Sequence, residues 1–182
     1  LIKLAFAGVV VIGMSGCALR APAYQVSINN VEELKRTDIH PVKIGSFAVK
    51  SGAAGGTSIN LRANPMSSPV GSSYADYLAD AMRKELELAK KLAPQANFEI
   101  TGVLLQSDVD VAMGTASGYM EAQFVVKQDG VVKFDKVKRG DHRWDSSFVG
   151  AVAVPAAQQN YPVIVQNLLS ALYSDIDFQK AL

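Results

Sequence analysis

Apolar side chains fall into a few regular runs along this chain, and their spacing sets most of the elements it should form. An unbroken apolar run from Leu4 to Ile12 follows Lys3 and gives way to Met14-Ser15-Gly16-Cys17. From Ala18 to about Asn30 the pattern loosens, and the alternation of Tyr24, Val26 and Ile28 predicts a short strand closing an extended stretch. Val42 to Val49 reads as a first core strand through its β-branched content, weakened at Gly45 and Ser46. Between Lys50 and Ser73 the residues Gly, Ser, Ala, Asn and Pro dominate, which predicts a long structureless connection.

The next segment has helical spacing. Ser73 is placed to cap it with Asp76 three residues on, and Tyr74, Leu78, Ala81, Met82, Ala89 and Leu92 share one side, with Pro94 as the stop. Asp76, Asp80, Arg83, Glu87, Lys90 and Lys91 occupy the opposite face. At roughly 100° per residue, Glu85 projects among the apolar positions. A carboxylate there is either functional or sits at the rim of the stripe and reaches water or a lysine, and the rim is the expectation.

Three strands follow: Phe98–Leu105, with Phe98, Ile100 and Leu104 on one face; Tyr119–Lys127, alternating through Met120, Ala122, Phe124 and Val126; and Val131–Lys138. A two-residue Asp129-Gly130 loop would set Val126 opposite Lys133 and Phe124 opposite Asp135, mixing core with solvent. A three-residue loop from Gln128 to Gly130 with a glycine bulge pairs Val126 with Val132 and Phe124 with Phe134, and is preferred. A small apolar connection from Ser146 to Pro155 leads to a last helix carrying Val165, Leu168, Leu169, Leu172 and Ile176. That helix is either capped by Asn160, with Pro162 in its first turn, or begins nearer Pro155 and kinks at Pro162.

The pattern predicts an α+β two-layer sandwich: a mainly antiparallel sheet with two helices on one face, in the order β-α-β-β-β-α. Residues 31–182 are expected to form this single domain, with 17–30 as a tether and 1–16 as a removable segment. Without residues 1–16 the 18 basic side chains lose Lys3 and equal the 17 acidic ones. A neutral domain without a basic stripe is a poor nucleic-acid binder, since such affinity comes mainly from Lys and Arg neutralising phosphates.

The amino-terminal run is too short for a membrane-spanning helix of about 20 residues. A positive start, an apolar segment of about 7–15 residues and small residues before a cut make a secretory signal. Here the residue after the cut is Cys17, the only cysteine. Met14-Ser15-Gly16-Cys17 resembles the lipobox of bacterial lipoproteins, with Met14 where that family more often has Leu. The resemblance implies a diacylglycerol thioether and an N-acyl chain on Cys17, no other cofactor, and a membrane as the first partner. Ala18 rather than Asp after the cysteine resembles lipoproteins released to the outer membrane of enteric-type bacteria, facing the periplasm.

Catalytic chemistry is sparse. His40 and His142 are the only imidazoles, and neither stands in an HExxH pattern or beside a carboxylate at metal-ligand spacing. No G-x-S-x-G elbow is present, and the Gly-rich stretch from Gly52 to Ser58 lacks the Gly-Lys-Ser/Thr ending of a phosphate loop. These absences predict a protein that is not an enzyme. Lys133, Asp135, Lys136, Lys138, Arg139, Asp141 and Arg143 make the last strand heavily charged, as suits a protected sheet edge.

Lipobox, β-α-β-β-β-α order and the closing Asp175-Ile176-Asp177-Phe178 resemble the YajG-type envelope lipoproteins, and more distantly the lipoprotein LptE and the amino-terminal domain of TolB. That likeness implies binding, plugging or scaffolding rather than catalysis. The expected function is therefore an anchored accessory that binds an envelope protein, with Leu61, Met66, Lys136, Lys138 and Arg139 as candidate contacts. Leu61 and Met66 stand out because a purely solvated linker has no reason to carry them. The alternative is an envelope hydrolase or small-ligand carrier with a pocket beneath the 50–73 loop, containing Glu85 and a histidine.

Overall fold

A computed structural model describes residues 19–182, so the expected signal segment 1–16, Cys17 and Ala18 lie outside the described residues. Two sheets and four helices build the domain. The strands are β1 (Leu19–Arg20), β2 (Val42–Val49), β3 (Ser58–Leu61), β4 (Asn64–Ser67), β5 (Phe98–Asp110), β6 (Gly114–Gln128) and β7 (Val131–Ser146); the helices are α1 (Ile28–Arg36), α2 (Tyr74–Leu88), α3 (Gly150–Tyr173) and α4 (Ile176–Lys180). The main sheet has the order β2-β5-β6-β7, antiparallel except for the parallel β2–β5 pair, and β1-β4-β3 form a small second sheet. The expected α+β sandwich is present.

The core lies between the main sheet and helices α2 and α3. Ile100, Leu104, Met120, Ala122, Phe124 and Val126 supply the sheet side, and Tyr77, Leu78, Met82, Ile164, Leu168 and Leu172 the helix side. Alternation along β5 and β6 buries one face of the sheet against the helices, and among the described residues no helix covers the other. Two glycines permit close approach. A Cβ on Gly102 would lie 2.4 Å from the Phe47 ring, and one on Gly140 would lie 2.2 Å from the Leu168 nitrogen, so β7 rests directly on the backbone of α3.

The hairpin register differs from both sequence alternatives. Asp129 (φ 49°) and Gly130 (φ 85°) make a two-residue turn that sets Gln128 opposite Val131. Lys127 still faces Val132, and a bulge then shifts the register so that Val126 faces Phe134 and Phe124 faces Lys136. The extra residue sits in the strand rather than in the loop. Core pairing is restored at Val126 and Phe134, and beyond them β7 no longer needs apolar inner residues because it meets polar groups of α3 and α4.

Three further expectations are corrected. Residues 19–30, expected as a tether with a strand at Tyr24–Ile28, belong to the fold: β1 pairs with β4, Ala21 and Tyr24 are buried, and Ser27 caps α1. The 50–73 connection contains the β3–β4 hairpin. Its turn residues Arg62 (φ 48°) and Ala63 (φ 67°) adopt left-handed backbone without glycine, which hides the turn from sequence rules. The last helix begins at Gly150 with Pro155 and Pro162 inside it and ends at Tyr173, so Ile176 belongs to α4 and is exposed. Among the described residues no helix is long and apolar enough to cross a membrane.

Candidate functional site

Glu85 is fully buried on α2, at neither a rim nor a lysine. The Tyr24 hydroxyl donates to its Oε1 at 2.6 Å and the Ser27 N–H at 3.0 Å; Asn30 Nδ2 donates to Oε1 and Oε2 at 3.3 and 3.2 Å. Asn30 Nδ2 also reaches the Gln166 carbonyl at 3.0 Å, so one cluster joins the amino-terminal segment, α2 and α3. The buried Tyr173 hydroxyl faces the same carboxylate without completing a regular hydrogen bond. Burial pushes the Glu85 pKa up, against the opposing pull of its donors. Burial, followed by the charge of Glu85, raises that of Tyr24, which keeps the phenol a donor. With neither histidine among its hydrogen-bond partners and no cleft around it, this carboxylate ties elements together.

The charged strand divides into two faces. On the inner face, Lys138 and Lys136 bind Asp175; Lys136 also reaches Asp177 at 2.6 Å. The Lys138 ammonium, ahead of the backbone N–H of Asp177, holds the Asp175 carboxyl well below the usual carboxylate range. Asp175 also caps α4, and Phe178 packs its ring edge-on to Phe134, so the closing Asp-x-x-Phe is a latch between α4 and β7. On the outer face, the Arg139 guanidinium lies 3.8 Å from the centre of the Tyr119 ring and contacts Asp141 at 2.9 Å.

Two open clefts flank this strand. One, about 660 Å³, is lined by His40, Phe98, Phe134, Lys136, Asp177 and Lys180 at the end of the sheet where the β6–β7 turn lies; the other, about 470 Å³, is lined by Tyr119, Arg139, Asp141 and His142 among others. His40 stacks on Phe98, while His142 stacks on Trp144 and bonds Asn160 at 2.9 Å. Among the described residues no three His, Cys, Asp or Glu side chains converge in a metal-binding group.

The structure separates the sequence-predicted contacts. Leu61 and Met66 are fully buried beneath the β3–β4 hairpin and offer nothing to a partner. Ile59 is buried with them, while a cleft of about 340 Å³ lies under the start of the 50–73 segment, lined by Lys50 to Ala54, Leu105 and Gln106 and not by Glu85 or a histidine. Lys136 and Lys138 are engaged with α4, Arg139 faces outward, and Cys17 lies outside the described residues. Sequence reasoning missed Tyr24, Ser27 and Asn30; the misplaced carboxylate of Glu85 was the one signal that buried donors had to come from elsewhere.

These features define an α+β sandwich whose sheet is helix-covered on one side only. No family model matches the chain, and no curated protein does. Among solved structures, a Xanthomonas campestris protein described by the family model DUF330 is similar with a TM-score of 0.50 at 15% identity, over 74% of this chain and 84% of that one. A candidate lipoprotein from Caulobacter crescentus gives 0.40 at 16% identity, over 58% and 80%. An uncharacterised protein from Chlamydia trachomatis gives 0.39 at 11%, over 73% and 97%. The first shares the fold with this chain.

Proposed function

We propose that this protein is a bacterial envelope lipoprotein, held in the outer membrane by acyl chains on Cys17 and facing the periplasm, that acts as a non-enzymatic binding or scaffolding accessory. The lipobox residues Met14 to Cys17 and the YajG-type layout support the anchor. The observation that carries the binding role is the one-sided sheet: β7 pairs only with β6, and its outer face presents Val137, Arg139, Asp141 and Arg143 to solvent. A long edge strand of this kind is a template for strand addition or for a polar docking surface.

One experiment addresses anchor and surface together. Cells expressing the protein are labelled with a palmitate analogue, and a photo-crosslinking residue is placed at Val137 or, on the helical side, at Ile28. Wild type should take up label and Cys17→Ser should not, while position 137 should trap an envelope protein that position 28 does not. Equal labelling of both proteins sinks the anchor. Adducts from position 28 alone sink the sheet surface.

A further inference from the structure

Among the described residues, four of the ten exposed large apolar side chains lie together at one end of the domain. Met113 is 74% exposed, Phe148 77%, Val152 57% and Val149 42%. Met113 stands in the β5–β6 turn beside Gly114, which pairs with Ser146, and Phe148 follows two residues later. Arg62 fastens the two connections: its Nε donates to the Val111 carbonyl at 2.8 Å, and its Nη2 and Nη1 donate to the Ser147 and Phe148 carbonyls at 2.9 Å each. The cluster is therefore a rigid cap.

The two segments that carry these side chains have no charged residue of their own. No charged residue occurs from Val111 to Gly118 or from Ser146 to Ser174. The flanking Asp110 and Asp145 pair with Ser117 and Thr115 and project from the outer face of the sheet. The cation of Arg62 is spent on three carbonyls. Helix α3 even starts with Val149 at its N-cap, without a side-chain acceptor, where Ser, Thr, Asp or Asn would stabilise it. Helix stability is given up there in favour of an apolar surface.

The chain enters the domain at the same end. Leu19 lines a cleft of about 420 Å³ with Arg62, Asn64, Gly150 and Val154, and Gln158 Nε2 donates to the Arg20 carbonyl at 2.9 Å. Cys17 is two residues before Leu19, a reach of at most about 7 Å. With residues 19–30 built into the fold, the reach from an acylated Cys17 to the domain is set by those two residues.

We infer that this cap, formed by Met113, Phe148, Val149 and Val152, rests in the lipid surface that holds the acyl chains, so that the domain stands on the membrane in one orientation. The inference rests on the acylation of Cys17 proposed above. Side chains of this kind settle about 5–10 Å into the boundary between headgroups and acyl chains. Strand β5, 13 residues long, then carries the Lys133, Lys136, Asp177 and Lys180 end roughly 40 Å outward.

The test uses the full lipidated protein on vesicles of phosphatidylethanolamine and phosphatidylglycerol. New cysteines at position 152 (Val152→Cys) and, at the far end, position 131 (Val131→Cys) carry an environment-sensitive fluorophore, and nitroxide lipids act as depth-resolved quenchers. Flotation with the vesicles reports the anchor separately. We expect flotation of both labelled proteins, strong quenching at 152 and none at 131. Adding Phe148→Glu and Met113→Glu should abolish quenching at 152 while flotation persists and the melting temperature holds, both sites being exposed. Flotation with equal quenching at the two positions, or with none at 152, overturns the orientation and leaves the anchor standing; a partner protein would then be the cap's occupant. Failure to float, or equal flotation of Cys17→Ser, overturns the anchor and this inference with it.

Discussion

Glu85 sits where helical spacing asks for an apolar side chain, and three donors from a distant segment make that position tolerable. Its pKa is raised above 4.5 by burial, so the folded protein binds the proton more tightly than the unfolded chain does. Its contribution to stability is therefore fully present below pH 4.5 and is lost as pH rises through the folded value. Asp175 acts in the opposite sense: its folded pKa is depressed by Lys138, so its contribution is present above 3.8 and lost as pH falls below that. Urea denaturation from about pH 8 down to about pH 4.5 should show wild type gaining stability relative to Glu85→Gln, which cannot titrate. Parallel profiles for the two proteins would show that Glu85 does not titrate differently on folding. The anomaly at Glu85 was legible in the sequence; its partners were not, because Tyr24, Ser27 and Asn30 lie more than fifty residues away in a stretch whose alternation reads as a strand.

Elements with strong local chemistry were legible. The Ser73–Asp76 capping box forms as spaced, with the Ser73 hydroxyl accepting from the Asp76 N–H at 3.2 Å and Asp76 accepting in return from the Ser73 N–H at 3.0 Å. Where α2 ends was less so. Lys90 turns left-handed (φ 59°) because the next residues are claimed by β2, with Val42 N–H donating to the Lys91 carbonyl at 2.8 Å, and Pro94 plays no part in the stop. The β3–β4 hairpin was invisible for the opposite reason: its composition signals a loop, and tertiary packing of Ile59, Leu61 and Met66 overrides it. Replacing residues 52–72 by a Gly/Ser linker of equal length should consequently collapse the thermal transition. Three fully buried aliphatic side chains would be lost, each worth about 2–5 kcal/mol on truncation. A melting temperature within a few degrees of wild type would return the segment to the status of a free loop.

At the level of the whole molecule, the two-layer arrangement followed from the sequence because α2 and β6 each keep a single period over their length and β5 does so up to its bulge at Leu105. Sheet register did not, since one bulge in β7 moves every later pair by a residue and its cause lies in α3 and α4. The domain has two unlike ends: one around Phe148, where the chain enters, built largely from segments without charged residues, and a charged one around Lys136 and Asp177.

The way the first described residues are fastened has a mechanical consequence. Leu19 and Arg20 pair with Met66 and Ser67, Ala21 N–H donates to the Ser67 carbonyl at 2.9 Å, the Pro22 carbonyl accepts from Tyr77 at 3.0 Å, and Tyr24 holds Glu85. A pull applied at Cys17 loads these attachments in series, from the weakest to the buried cluster, and reaches the four-stranded sheet last. Single-molecule stretching from that side should register a short early extension before the main rupture, whereas a single all-at-once rupture would contradict the serial arrangement. Under the anchoring proposed above, a few residues of chain would yield first, as a shock absorber, while the four-stranded sheet stays folded.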